Sequence, residues 1–164
     1  MKAVTSDALN GLFKEAERSS CKRINLNLHR DGDDVNVFFN AFLPGTYPQP
    51  HRHRDKDEYF TIISGAALVL EFSNDGTIQD AVLLEPQCAV ACKIPVGSWH
   101  TVLALIPSIL LEAKAGPYDP ATAKECAPWA PAENNTAAKD YTQRIIQKIH
   151  RAHPEMLLFR FLQE

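Results

Sequence analysis

The sequence has no long apolar run, no cluster of basic residues and few cysteines, and each shortage removes a class of function. Its longest apolar stretches fall far short of the roughly 20 residues that a bilayer-spanning helix needs. Lys and Arg number 17 against 20 Asp and Glu, a net charge of −3. With no basic stripe, nucleic-acid and anionic-membrane partners have no electrostatic support. Four cysteines (Cys21, Cys88, Cys92 and Cys126) come without a second pair at zinc-finger spacing. The polar first twenty residues lack the apolar centre of a secretory signal. Free thiols in a reducing, cytoplasmic setting are therefore expected. What is present is ordinary globular material: 164 residues, 45% apolar and 23% charged. That is enough to bury a core as one domain over residues 1–164.

The apolar residues change period along the chain. Leu9, Leu12, Phe13 and Ala16 recur at helical spacing behind the capping candidates Thr5, Ser6 and Asp7, which predicts a helix within 1–20. From Ile24 the period is two. Ile24, Leu26 and Leu28 alternate with Asn25, Asn27 and His29, so one strand face is aliphatic and the other polar. Short strands then follow at 35–42, 58–64, 67–72, 77–84, 89–94, 100–105 and 109–115, separated by Gly, Pro and Asn-Asp-Gly punctuation. Residues 24–115 thus read as an all-β antiparallel barrel or jelly roll. Residues 116–135, rich in Pro and Ala, read as a strap or linker. Residues 136–152 read as a second helix carrying Tyr141, Ile145 and Ile149 on one stripe. The apolar end from Met156 to Leu162 is either a strand or a helical turn.

His51-Arg52-His53 carries chemistry. Residues two apart on a strand point the same way, so both imidazoles can face one ion. Glu58 opens the next strand after a charged turn, and His100 follows a Pro-Val-Gly-Ser-Trp turn. Three neutral imidazoles and a carboxylate would neutralise half the charge of a divalent ion and leave coordination positions open. An isolated His-x-His is more often a solvated edge-strand pair, and a lone Glu after a charged turn is usually a surface residue. The spacing of the whole set argues otherwise. Gly45, His51, His53, Glu58 and Gly65 stand at the intervals of the first cupin motif, and Pro95-x-Gly97-x-x-His100 is similar to the core of the second. Ala89 and Ala104 depart from that second motif, but neither is a ligand position. The expected cofactor is one divalent metal ion: Fe, Zn, Ni or Mn.

Beyond the generic motif, the chain resembles one cupin family, the WbuC-type cupin-fold metalloproteins. The resemblance lies in residues 23–29 (RINLNLH), 50–53 (PHRH), 95–100 (PVGSWH), 112–118 (EAKAGPY) and 124–133 (KECAPWAPAE), and it covers roughly residues 6–133. It implies a cupin barrel with flanking helices, in a bacterial protein often encoded among polysaccharide or O-antigen biosynthesis genes. It also turns Asn25, Asn27 and His29 toward the pocket, although spacing alone slightly favours a solvated face. In the pocket they would form a row of donors and acceptors suited to sugar hydroxyls, with His29 the candidate base. Tyr47 and Trp99 flank the ligands and are expected to wall the pocket. Glu112 and Lys114 share a strand face; the bland reading is a surface ion pair, with Lys114 kept as an anion contact.

Three functions fit these residues. One is a sugar isomerase or epimerase, in which a metal polarises a carbonyl while a base moves a proton. Another is a non-haem Fe(II) dioxygenase, and the third is a non-catalytic carbohydrate-binding or sensory module. Fold does not choose among them. A small polar, carbohydrate-derived ligand is the expected partner. A homodimer is expected too, because strand edges and the end MLLFRFL offer surface to cover.

Overall fold

The computed structural model describes residues 1, 3–120 and 123–156. The chain enters as a helix, α1 (Ser6–Arg18), whose N-terminus is capped by Thr5: its hydroxyl accepts from the Ala8 amide at 3.2 Å. Ten strands follow: β1 (Arg23–Asn27), β2 (Val35–Phe42), β3 (His51–Arg52), β4 (Glu58–Ser64), β5 (Ala67–Phe72), β6 (Ile78–Leu84), β7 (Ala91–Ile94), β8 (Trp99–Ala104), β9 (Ser108–Ala115) and β10 (Glu125–Cys126). A second helix, α2 (Ala137–Ala152), leads into a 3-10 turn, Pro154–Met156. Residues 157–162, the rest of the apolar end, lie outside the described residues.

The strands form two five-stranded antiparallel sheets, ordered β1-β2-β9-β4-β7 and β10-β3-β8-β5-β6. This is the double-sheet jelly roll with a helix at each end that the alternation predicts. Most predicted strands differ from the observed ones by a residue or two at their ends, where fraying is common. Alternation did not show the two-residue β10, because pairing with β3 organises it rather than any pattern of its own.

Three apolar layers follow from the period of two. Phe42, Phe60, Ile62, Ala67, Val69, Ile94, Val102, Ala104 and Leu110 fill the space between the sheets. The opposite face of the second sheet, with Leu68, Leu70, Phe72, Leu83 and Leu103, is covered by Ala127, Trp129 and Ala130 of the strap and by Ile145 and Ile149 of α2. The opposite face of the first sheet is covered over β1 and β2 by Leu12 and Ala16 of α1. Burying a Leu fully contributes about 1.5–3 kcal/mol, so these layers supply most of the drive to fold. Gly65 closes the β4–β5 turn at φ +89°, where a Cβ would collide with the Pro107 carbonyl and Ser108, so no other residue fits. Among the described residues no helix is long and apolar enough to cross a membrane.

Candidate metal centre

One end of the space between the sheets is polar. β3 places His51 directly across from His100 of β8, with ring centroids 4.5 Å apart. His53 follows at the end of β3, and Glu58 opens β4 on the facing sheet. One donor atom from each of these four residues lies within 4.8 Å of the other three. His53, Glu58 and His100 are buried, and His51 is half-buried at the mouth. Two loops hold the mouth together. Gly97, at φ +81°, donates its amide to the His53 carbonyl at 2.7 Å, and the Val96 amide donates to Asp57 at 2.9 Å.

The histidine tautomers follow from their partners. Nδ1 of His51 lies 2.9 Å from the Gln49 carbonyl, that of His53 lies 2.5 Å from the Ala123 carbonyl, and that of His100 lies 2.9 Å from the Ser98 carbonyl. A carbonyl only accepts, so each Nδ1 carries the proton and each Nε2 turns inward as a lone pair. Nε2 of His53 and His100 stand 3.3 and 2.9 Å from the two oxygens of Glu58. Both nitrogens and Glu58 Oε2 are nevertheless buried without a hydrogen bond of acceptable geometry. Burial, followed by His100, pushes the His51 imidazole well below its ordinary pKa. Burial opposes ionisation of Glu58, and the Lys114 ammonium at 2.9 Å favours the carboxylate. Orphaned lone pairs beside a carboxylate repel one another until a cation sits between them. A divalent ion fits this donor set.

From Glu58 a polar ladder crosses the first sheet. Its register sets Glu58 opposite Lys114, and β9 lies between β2 and β4. The Lys114 ammonium reaches Glu58 at 2.9 Å and Glu112 at 2.6 Å, and the Asn40 amide donates to Glu112 at 2.7 Å. Burial would depress Lys114, yet Glu112 and Glu58 raise it above its ordinary value. Burial, followed by the Glu58 charge, pushes Glu112 up to about 7. Glu112 and Lys114 are therefore part of the interior, unlike the surface pair that their spacing suggests.

Beside the four donors lies a cavity of about 510 Å³, also lined by Arg23, Asn25, Asn40, Glu112, Lys114, Tyr118 and Lys124. Besides the four donors, Asn25, Glu112 and Lys114 are the residues singled out in the sequence that line it. Asn25 is exposed at the edge, its amide donating to Asn27 at 2.5 Å; Asn27 is exposed and lies outside the lining. His29 also lies outside. Its Nδ1 lies 2.9 Å from the Val37 carbonyl and 3.0 Å from the Val37 amide, and its ring meets Phe38 edge-on at 4.6 Å, which spends that nitrogen on the backbone of β2. Trp99 precedes the inward-facing His100 on β8, so it must point to the other side. It packs in the outer layer, under the Arg52 guanidinium at 4.3 Å, with its indole donating to Asn74. Tyr47 packs in the same layer and donates its hydroxyl to the Pro131 carbonyl at 2.9 Å. Asn40, Arg23 and Lys124 are functional candidates that sequence reading missed, and Glu112 is one that it read as half of a surface pair. The one local signal was an Asn inside the otherwise apolar FFNAF.

Part of the strap lies along the site, with Ala123 and Lys124 in the cavity lining. Glu125 accepts from Arg54 at 2.6 Å and Arg52 at 2.8 Å, which draws β10 onto β3. The Ala123 carbonyl is then placed to orient His53.

Comparison with known proteins bears on the fold. Residues 4–84 match the model of a family described as a domain of unknown function (DUF6016). No curated protein sequence matches the chain. Among solved structures, it is similar to the capsular polysaccharide assembling protein CapF from Staphylococcus aureus, with a TM-score of 0.50 and 20% identity over 63% of this chain and 31% of that one. A CapF complex with 3-isopropenyl-tropolone has a TM-score of 0.53 and 23% identity over 61% of this chain and 30% of that one. The match thus spans less than a third of CapF. A protein described as a sugar phosphate isomerase from a cupin superfamily, from Silicibacter pomeroyi, has a TM-score of 0.47 and 19% identity over 58% of this chain and 60% of that one. At these identities the likeness concerns architecture alone. With its two five-stranded antiparallel sheets and the inward-facing three-histidine, one-carboxylate cluster, the chain has the cupin fold.

Proposed function

We propose that this chain is a WbuC-type metal-binding cupin. In this reading His51, His53, Glu58 and His100 hold one divalent ion, and the adjoining cavity takes a small, polar, sugar-derived ligand. The observation that carries it is the set of three imidazoles with Nδ1 tied to backbone carbonyls and Nε2 aimed at one carboxylate. When bound, the ion would supply Lewis-acid polarisation of a ligand oxygen. The protein's own share is positioning and charge. Lys114 steadies Glu58, Asn40 and Asn25 offer amides to hydroxyls, and Tyr118 stands at the mouth. Sugar isomerase or epimerase chemistry is the reaction class this arrangement suits best. The polysaccharide setting implied by the family resemblance favours it over O₂ chemistry.

The test is metal content. Protein purified without added metal is expected to carry close to one ion per chain. The His100→Ala variant should lose most of it and His150→Ala none. Equal retention in the two variants would remove the assignment. Iron accompanied by O₂ uptake would replace the isomerase reading with an oxygenase.

A further inference from the structure

The segment KECAPWAPAE (124–133) contributes no donor to the metal cluster, yet its charged ends organise the cavity edge. The Glu133 carboxylate is held by Arg23 Nη2 at 2.6 Å, by the Gln49 amide at 3.3 Å and by Lys124 Nζ at 3.7 Å. Arg23 and Lys124 also line the metal cavity, whereas Glu133 lies beyond them and lines the neighbouring cavity beneath α2. The lining of the metal cavity therefore carries three cations, Arg23, Lys114 and Lys124, against two carboxylates, Glu58 and Glu112. Glu133, paired with Arg23 and Lys124 from behind, levels that count, and a divalent ion would make the region net positive. Arg23 directs Nη2 to Glu133 and Nη1 to the Cys21 carbonyl, so other guanidinium hydrogens are available to a second acceptor.

We infer that the ligand of this cavity is an anion: a small polyol bearing a carboxylate or phosphate group that Arg23 and Lys124 receive at the cavity edge. The chain already holds these two cations against a carboxylate of its own, so their spacing suits a second one and little ordering remains when the ligand arrives. The hydroxyl-bearing part of the ligand rests on the sugar-binding reading above, and the anionic part rests on Arg23 and Lys124 alone.

The test uses the metal-loaded full chain and matched neutral, uronate and 6-phosphate forms of several hexoses, together with inorganic phosphate and tartrate. Melting shifts and calorimetry are the readouts. A uronate or a sugar phosphate should raise the melting temperature where the neutral hexose does not, and whichever acts identifies carboxylate or phosphate. Arg23→Gln and Lys124→Gln should each weaken that binding about tenfold, the loss of one charge-assisted contact, with metal content unchanged. Lys124 is 42% exposed, so its variant remains informative if Arg23→Gln folds poorly. Binding of phosphate or tartrate without any sugar form would sustain the anion site and remove the carbohydrate reading. Neutral hexoses binding as tightly as their anionic forms would overturn the inference. So would the absence of any anion effect, or full affinity in Lys124→Gln.

Discussion

The two ends of the space between the sheets are made by the same strands and opposed in kind. At one end Leu110, Ile62, Ala67 and Ala104 meet with almost no exposed surface. At the other, along the same β4 and β9, stand Glu58, Glu112 and Lys114, with the three imidazoles across from them. The apolar end gains free energy from burial without needing any particular partner. The polar end has already lost hydration, so each of its groups depends on a specific neighbour. One end holds the sheets together, and the other makes use of that rigidity to keep charges aligned that would otherwise separate.

Breaking each end in turn should show this difference. Lys114→Met removes the cation between Glu58 and Glu112 and should destabilise the metal-free protein by about 3–5 kcal/mol, as when one partner of a buried ion pair is lost. Urea unfolding measures it, and a loss below about 1 kcal/mol would mean that the ladder is solvated. Leu110→Ala, at a fully buried position, should cost about 2–5 kcal/mol through transfer and cavity terms. Adding a divalent ion sharpens the contrast. An ion drawing on Glu58 should restore part of the stability lost in Lys114→Met and none of the increment lost in Leu110→Ala. Equal recovery in both would uncouple the ladder from the metal site.

The smallest effect concerns the strap. Hydrogen bonds from Arg54 and then Arg52 lower the Glu125 carboxyl from 4.5 to about 2. A depressed folded-state value means that the contribution is complete above the unfolded value and is lost as pH falls through the folded one. Melting temperature should thus fall between about pH 4.5 and 2 more steeply in the natural protein than in Glu125→Gln. Matching profiles would show that the clamp adds nothing to stability.

These regions were unequally legible in the sequence. The strand count and the jelly roll could be read because alternation and turn residues are local signals. The four candidate donors were legible too, since His-x-His on a strand and glycines flanking the loops are short-range patterns. Trp99 was misplaced although the same rule covers it: a residue next to an inward His on a strand faces outward. The spacing of Glu112 and Lys114 is that of any surface pair, and nothing local reveals that β9 is a central strand that turns both toward the other sheet. His29 looked like a pocket residue on β1's polar face, but the chain has left the strand by then and its ring nitrogen is taken by Val37. Asn40 was hidden among phenylalanines until β9 brought Glu112 to it.

What the sequence by itself determined is therefore the alternation, the turns and the identity of four candidate metal donors, all set by neighbours within a few residues. The tertiary structure alone decided which other polar groups join them. The strand order β1-β2-β9-β4 brings Asn40, Glu112, Lys114 and Glu58 into one ladder from positions up to 74 residues apart. The strap brings Lys124 and Glu133 back to Arg23. Pairing between distant strands is chosen by the burial of whole faces, and no single segment carries that information.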